Sequence, residues 1–260
     1  MSGVSDGTRR QEGLSGLTGL TDESALQNLT DYSPGESGKA LDAARMEVFV
    51  EAMTPPGPVH LQELEQEALA EGVPIIRPQT QNLIRFFLAV KRPARILEIG
   101  TAVGFSALFM QYYAPADCCI TTIEKDPLRA EKARGNFIRY GRKNTCGRAE
   151  DIVLLEGDAA QVLGEIREDS SFDLFFMDAA KGQYIRFLPD ALRLLSPGGI
   201  MITDNILQEG EILTSRFAVT RRNRTIHARM RAYLHALMEE DRLETLLLPT
   251  GDGAAVSLKK

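Results

Sequence analysis

Four residues in two short stretches have the types and spacing for shared chemistry. Asp178 ends the apolar run Phe172–Met177, and Lys181 follows it closely. Asp204 and Asn205 end a second apolar run, Ile200–Thr203. A short apolar run bounded by polar residues reads as a strand buried on both faces of a parallel sheet. In such sheets ligands bind outside the carboxyl ends of the strands. Two strand ends would then bring Asp178, Asp204 and Asn205 to one crevice as three oxygen donors. Hard oxygen donors without Cys or His suit Mg²⁺, Mn²⁺ or Ca²⁺ rather than zinc. A cation held there would acidify a bound hydroxyl and orient it for transfer. Two roles are open for Lys181: taking the hydroxyl proton, or stabilising the oxyanion. Plainer readings stand beside these. An Asp before a helix often only caps it, and a lysine at a helix start is often only a surface residue. The second strand end, with its Asp-Asn pair, favours the metal reading.

A nucleoside site is marked upstream. Glu98 precedes the turn Gly100 to Gly104, whose glycines permit a tight bend and close approach of a ligand to the backbone. The spacing is G-x-x-x-G, not the G-x-G-x-x-G of dinucleotide binders, which lowers NAD and raises a nucleoside ligand without a pyrophosphate. Glu124, 20 residues after Gly104, can accept both ribose hydroxyls; its plainer role is a charge at a helix start. Asp158 with Ala159 could meet an adenine edge, or Asp158 could simply cap the helix that follows.

The elements that must position these residues alternate strand and helix, which predicts a parallel sheet. Strands are expected at 95–98, 118–124, 152–155, 172–177 and 200–203. Helices are expected at 105–113, 127–140, 159–167, 183–195 and 216–240, with a break near the start of the last left open. Strands at 243–248 and 254–258, joined by the turn residues Gly251-Asp252-Gly253, suggest an antiparallel addition at one edge. Three helices before the first strand, at 40–52, 60–71 and 79–90, are expected to cover one edge of the domain. Residues 1–38, rich in Gly, Ser, Thr and Asp, are expected to be a mobile extension; the catalytic domain would then span 39–260.

The 260 residues suffice for one sizeable α/β domain. A composition of 43% hydrophobic and 25% charged residues is that of a soluble globular chain. The net charge of −6 means that a nucleic-acid partner would need a local basic patch. Three cysteines, two of them adjacent, match no zinc spacing and argue against a disulfide framework. No signal-peptide pattern is present, and no apolar run reaches the roughly 18 residues of a membrane span. A reducing cytoplasmic setting is expected.

LEIGTAVGFSA, the TIE of the second strand, EGDA, FMDAAKGQY and TDN together resemble the cation-dependent class I O-methyltransferases that use S-adenosylmethionine (SAM). That family includes catechol and caffeoyl-CoA O-methyltransferases, and the likeness covers about residues 40–260. It implies a Rossmann-like fold with a seven-stranded sheet and a homodimer. It implies Glu124 on the ribose, Ser106 with the Gly100 to Gly104 turn and Glu98 near the methionine part, and Asp158-Ala159 at the adenine. Asp178, Asp204 and Asn205 would hold Mg²⁺ or Mn²⁺, with Asp178 also bordering the cofactor, and Lys181 matches the usual base. Ile75 is expected beside the cofactor, and with Arg77, Tyr184 and the 206–216 loop to shape the pocket.

Within that family the chain is most similar to the bacterial tRNA 5-hydroxyuridine methyltransferases, through DAAKGQY, TDNIL and LLLPTGDGAAVSLKK. The catechol enzymes carry aromatic residues after the metal aspartate, where this chain has Ala179-Ala180. The resemblance implies transfer to the 5-hydroxyl of a wobble uridine, giving 5-methoxyuridine; a small catechol or hydroxycinnamoyl-CoA substrate is the alternative. The run Arg216 to Arg231 holds six arginines and no acid. Arg216, Arg221, Arg222 and Arg224 are candidate tRNA phosphate contacts; a solvated helix face or a subunit contact is the plainer reading. His227 is expected on the helix surface.

Overall fold

The structure, a computed structural model, describes residues 43–142, 151–215, 217 and 219–260. The expectations for residues 1–38 and for Arg216 fall outside these residues. The chain divides into two units, Met1–Pro56 and Gly57–Lys260. The first contributes helix α1, Ala43–Met53.

The second unit begins with two helices, α2 (Val59–Ala70) and α3 (Pro78–Lys91). Pro78 opens α3, where its fixed φ suits the first turn and its missing N–H leaves no bond unmade. Strand and helix then alternate: β1 (Arg95–Ile99), α4 (Phe105–Tyr113), β2 (Cys119–Glu124), α5 (Pro127–Tyr140), β3 (Ile152–Glu156), α6 (Ala159–Glu165) and β4 (Phe172–Met177). A 3₁₀ turn at Lys181–Gln183 leads into α7 (Tyr184–Leu194) and β5 (Leu195–Thr203). A second such turn, Glu211–Leu213, precedes α8 (Arg224–Glu239), β6 (Leu243–Leu248) and β7 (Ala254–Lys259).

The strands form one seven-stranded sheet in the order β3-β2-β1-β4-β5-β7-β6. The first five run parallel, and β7 lies antiparallel to both β5 and β6. Successive side chains of a strand point to opposite faces, so the apolar runs feed two cores. Leu97, Ile99, Phe175 and Met177 pack with α6, α7 and α8. Ile96, Leu174, Phe176 and Ile202 pack with α2, α3 and α4. Strand order reverses between β1 and β4, and a crevice opens there at the carboxyl ends. Among the described residues no helix is long and apolar enough to cross a membrane.

Many element ends shift by a few residues from expectation, and two segments differ in kind or extent. Ser196 to Gly199 belong to β5 rather than to a turn before it. Phe172 pairs with Leu195 and Leu174 with Ile200, so Ser196 to Gly199 bulge out of β5 opposite Asp173, and Ser196 Oγ donates to the Phe172 carbonyl at 2.9 Å. Helix α8 starts at Arg224, and residues 219–223 before it hold a bend and a turn, in keeping with a break near the start of the expected helix; Asn223 there donates to both carboxylate oxygens of Glu211. Cys119 is disulfide-bonded, against the expectation of reduced thiols, while Cys118 is free and buried.

Glu98 is an exception in the apolar interior. It is 0% exposed on β1 and accepts a hydrogen bond from Thr122 Oγ1. Burial raises its carboxyl from 4.5 to about 7, with the Ser106 and Thr122 hydroxyls pulling the other way. A raised folded-state pKa means that the protonated form favours folding. That contribution is complete below about pH 4.5 and is lost as pH rises to about 7. Glu98→Gln is therefore expected to flatten the fall in melting temperature across that window. A pH–melting curve identical to the wild type would contradict the assignment.

Candidate active site

The crevice at the strand ends has a volume of about 580 Å³. Gly100, Glu124, Asp158, Ala159, Asp178, Lys181, Asp204, Asn205 and Ile75 line it, as does Arg77. Three other residues assigned to the cofactor lie beneath this surface. Glu98 is fully buried, Ser106 is buried in α4, and Gly104 caps α4 in the left-handed region at φ 87°.

The Glu124 end of the crevice, expected to take the nucleoside, is fixed by backbone hydrogen bonds. Glu124 is held by three backbone donors: Ala102 N–H on Oε2 at 2.8 Å, and Lys125 and Asp126 N–H on Oε1 at 2.9 and 2.8 Å. Asp158 does act as the N-cap of α6, accepting from Ala160 N–H at 3.0 Å. It also accepts from Lys125 Nζ at 2.9 Å, and chiefly this hydrogen bond lowers its carboxyl pKa. The cap and the crevice wall are thus the same residue.

The other end is acidic. Asp178 N–H donates to the Ile99 carbonyl and Asp204 N–H to the Met177 carbonyl, so the sheet ladder carries both residues to the strand tips. Burial first, and then the charge of Asp204, pushes the Asp178 carboxyl up to about 7. Burial likewise raises Asp204, although Asn205 N–H and the Thr80 hydroxyl oppose this. Those two donors hold Asp204 Oδ1 at 2.8 and 3.0 Å. Asp204 Oδ2 is buried with no partner among the described residues. A buried carboxylate oxygen in that state is strongly unfavourable, and a divalent cation between Asp204 and Asp178 would satisfy it. Among the described residues no three His, Cys, Asp or Glu side chains could hold a metal together. The donor set is two carboxylates and the Asn205 amide, which fits Mg²⁺ or Mn²⁺. Asn205 adopts φ 57°, a left-handed conformation that asparagine tolerates.

Lys181 stands at the rim of this half, its Nζ 3.0 Å from Asp252 Oδ2. Asp252 and Thr80 are functional neighbours that the sequence reading missed. Asp252 was visible only as turn chemistry in Gly-Asp-Gly. Thr80 sits in the first turn of α3, 124 residues from its partner Asp204.

Several expectations need correcting. Tyr184 is not a pocket wall. It is fully buried, and its hydroxyl lies 3.2 Å from the Ala179 carbonyl and 3.4 Å from that of Asp204. It therefore braces both acid-bearing loops from below. Of the 206–216 loop, Glu209 reaches the crevice, whereas Ile206, Leu207, Ile212 and Leu213 line a separate groove against α8. His227 is 1% exposed rather than a surface residue, with Nε2 at 3.2 Å from the Thr214 carbonyl. Arg221 and Arg222 are exposed. Arg224 is half-buried, and its Nε donates to the Val219 carbonyl at 3.2 Å.

Comparison with known proteins bears on this site. The O-methyltransferase family profile matches residues 57–260. A catechol O-methyltransferase of Niastella koreensis is 30% identical over 56% of this chain and 66% of its own length. Caffeoyl-CoA O-methyltransferase 2 of Zea mays is 30% identical over 62% of this chain and 61% of its own. These two matches span somewhat less than two thirds of the relatives' length. Among solved structures, the S-adenosylhomocysteine (SAH)-bound methyltransferase PaMTH1 of Podospora anserina superposes with a TM-score of 0.73 at 26% identity. That superposition covers 86% of this chain and 99% of the other. An O-methyltransferase of Bacillus cereus in complex with SAH shares the fold, with a TM-score of 0.70 at 24% identity over 83% and 97% of the two chains. The chain belongs to the SAM-dependent O-methyltransferase family.

Proposed function

We propose that the protein transfers a methyl group from SAM to the 5-hydroxyl of 5-hydroxyuridine in tRNA, giving 5-methoxyuridine, with a divalent cation at Asp178, Asp204 and Asn205. The observation that carries the cation reading is the unpartnered, buried Asp204 Oδ2 beside Asp178. The tRNA reading rests on the arginines of α8 and the segment before it. Helix α8 packs against the 3₁₀ turn that bears Lys181, and Arg229 Nη1 lies 3.4 Å from the Gly182 carbonyl. A polynucleotide lying along Arg221, Arg222 and Arg229 would reach the crevice mouth. Ala179 and Ala180 leave room beside the acids for a base carried on a ribose. The 5-hydroxyl and 4-carbonyl of such a base present two adjacent oxygens, as a catechol does. The named relatives make a catechol or caffeoyl-CoA-type acceptor the second reading.

The chain's own groups would act as follows. Glu124, fixed by its three backbone donors, orients the ribose of SAM, whose sulfonium supplies an electrophilic methyl. A cation held by Asp178, Asp204 and Asn205 would supply Lewis acidity towards the acceptor hydroxyl. Lys181 offers positive charge to the oxyanion that develops there. Thr80 and Asn205 N–H fix Asp204, and Tyr184 fixes the loops, so alignment of acceptor and methyl is set before transfer.

Purified protein, SAM and Mg²⁺ incubated with hydroxylated but unmethylated tRNA, followed by digestion to nucleosides, should add one methyl mass to 5-hydroxyuridine by mass spectrometry. No gain on that nucleoside together with turnover of catechol would assign the enzyme to small acceptors. Charge reversal at Arg221 and Arg222 is expected to weaken tRNA binding and to reduce the slope of log affinity against log salt by about 2. Binding and slope unchanged in the double variant would remove these arginines from the tRNA path.

A further inference from the structure

Lys181 sits on a short 3₁₀ turn, and a four-carbon stem carries its charge, so something must fix where that charge points. Asp252 lies at the tip of the β6–β7 hairpin, is 5% exposed and lines the same crevice as the acids. Its Oδ2 is 3.0 Å from Lys181 Nζ, and its Oδ1 accepts the backbone N–H of Glu209. Its own carbonyl accepts Leu207 N–H, and the Gly253 carbonyl accepts Ile206 N–H. The carboxylate is thereby held in one orientation, one oxygen tied to the loop after Asn205 and the other presented to the lysine. The turn itself has little latitude. Gly253 has φ 78°, and a Cβ there would lie 2.3 Å from Leu207 Cγ.

The competing partners for Lys181 are Asp178 and Asp204, whose carboxyls both feel its charge. Asp204 Oδ2 has no other partner among the described residues. A buried unpaired carboxylate attracts any ammonium that can reach it. A lysine released from Asp252 would swing onto that pair and take the place suited to a divalent cation. We propose that Asp252 is the positioning residue for Lys181, holding its ammonium at the rim of the acceptor site and off the Asp178–Asp204 pair. The proposal rests on the functional reading above and adds to it what keeps lysine and cation apart. It favours the electrostatic one of the two roles of Lys181, since its Nζ is paired with Asp252 at the rim of the crevice.

Asp252→Asn is the informative variant, because the amide oxygen can still accept from Glu209 N–H and so spare the loop. Asp252→Glu, Lys181→Ala and the Lys181→Ala/Asp252→Asn double variant complete the set. Two readouts apply to the full chain. The first is Mn²⁺ binding without SAM or acceptor, followed by electron paramagnetic resonance of the free ion. Asp252→Asn should bind Mn²⁺ roughly 10-fold more weakly, as expected when a charged hydrogen bond is replaced by a competing ion pair, and the double variant should recover wild-type affinity. The second is steady-state methylation of 5-hydroxyuridine tRNA or catechol, whichever the wild type accepts. Asp252→Asn should lower kcat roughly 10- to 100-fold with little change in acceptor KM. Asp252→Glu should regain part of the loss, and the Asp252 change should add nothing in the Lys181→Ala background. A wild type that binds no Mn²⁺ would overturn the cation reading, and this proposal with it. A wild type that binds and turns over, with Asp252→Asn equal to it or additive with Lys181→Ala, would overturn the proposal alone.

Discussion

Asp178, half-buried, and Asp204, fully buried, sit at the tips of two neighbouring parallel strands, and the charge of Asp204 makes Asp178 harder to ionise. Burial, and then the charge of Asp204, push the Asp178 carboxyl up to about 7, while Asp204 is itself raised by burial and by Asp252. An arrangement of this kind is unfavourable for a fold with nothing to offset it. The chain spends considerable structure on keeping it. Gly100 is left-handed at φ 101°, and a Cβ there would lie 1.8 Å from the Asp178 carbonyl oxygen. Only glycine lets the first strand's turn pass that close to the acid-bearing loop. Tyr184 bridges the two loops below the acids, and packs edge-on against Tyr233. Tyr233 in turn pairs its hydroxyl with Thr203 at 2.6 Å, directly before Asp204.

Around this pair the crevice separates two kinds of order. The Glu124 end is held by backbone donors to Glu124 and by the helix cap at Asp158. The acidic end is held by side chains from distant segments: Thr80 from α3, Asp252 from the last hairpin, and Lys181 from the turn after β4. The first kind resists change because it is local backbone geometry. The second can be altered one side chain at a time, and so it is where members of one fold can come to accept different hydroxyls.

The amino-acid sequence made the first kind legible. Apolar runs ending in acids predicted β4 and β5 and their tips, because buried parallel strands read as continuous apolar runs. The glycine turn and Glu124 followed from their spacing after β1 and β2. The side-chain supports were not legible, for a physical reason. Thr80 meets Asp204 across 124 residues, and Asp252 meets Lys181 across 71. No periodicity or local motif encodes such a contact. Tyr184 and His227 were misread for a related reason: a polar tip on an otherwise buried ring looks like a surface or pocket residue until its partner is known. The SPGG segment looked like a turn because it is a bulge: its four residues lie within β5 but opposite the single residue Asp173 of β4.

The central claim is that the two acids and Asn205 form a cation site at the point of transfer. Crystals of the protein grown with SAH and Mn²⁺, measured at the manganese absorption edge, test it most directly. One anomalous peak bounded by Asp178, Asp204 and Asn205 is the predicted result, and it should vanish in Asp204→Ala while SAH stays bound. Bound SAH with no peak at those residues, or a peak elsewhere in the crevice that survives the substitution, would contradict the account.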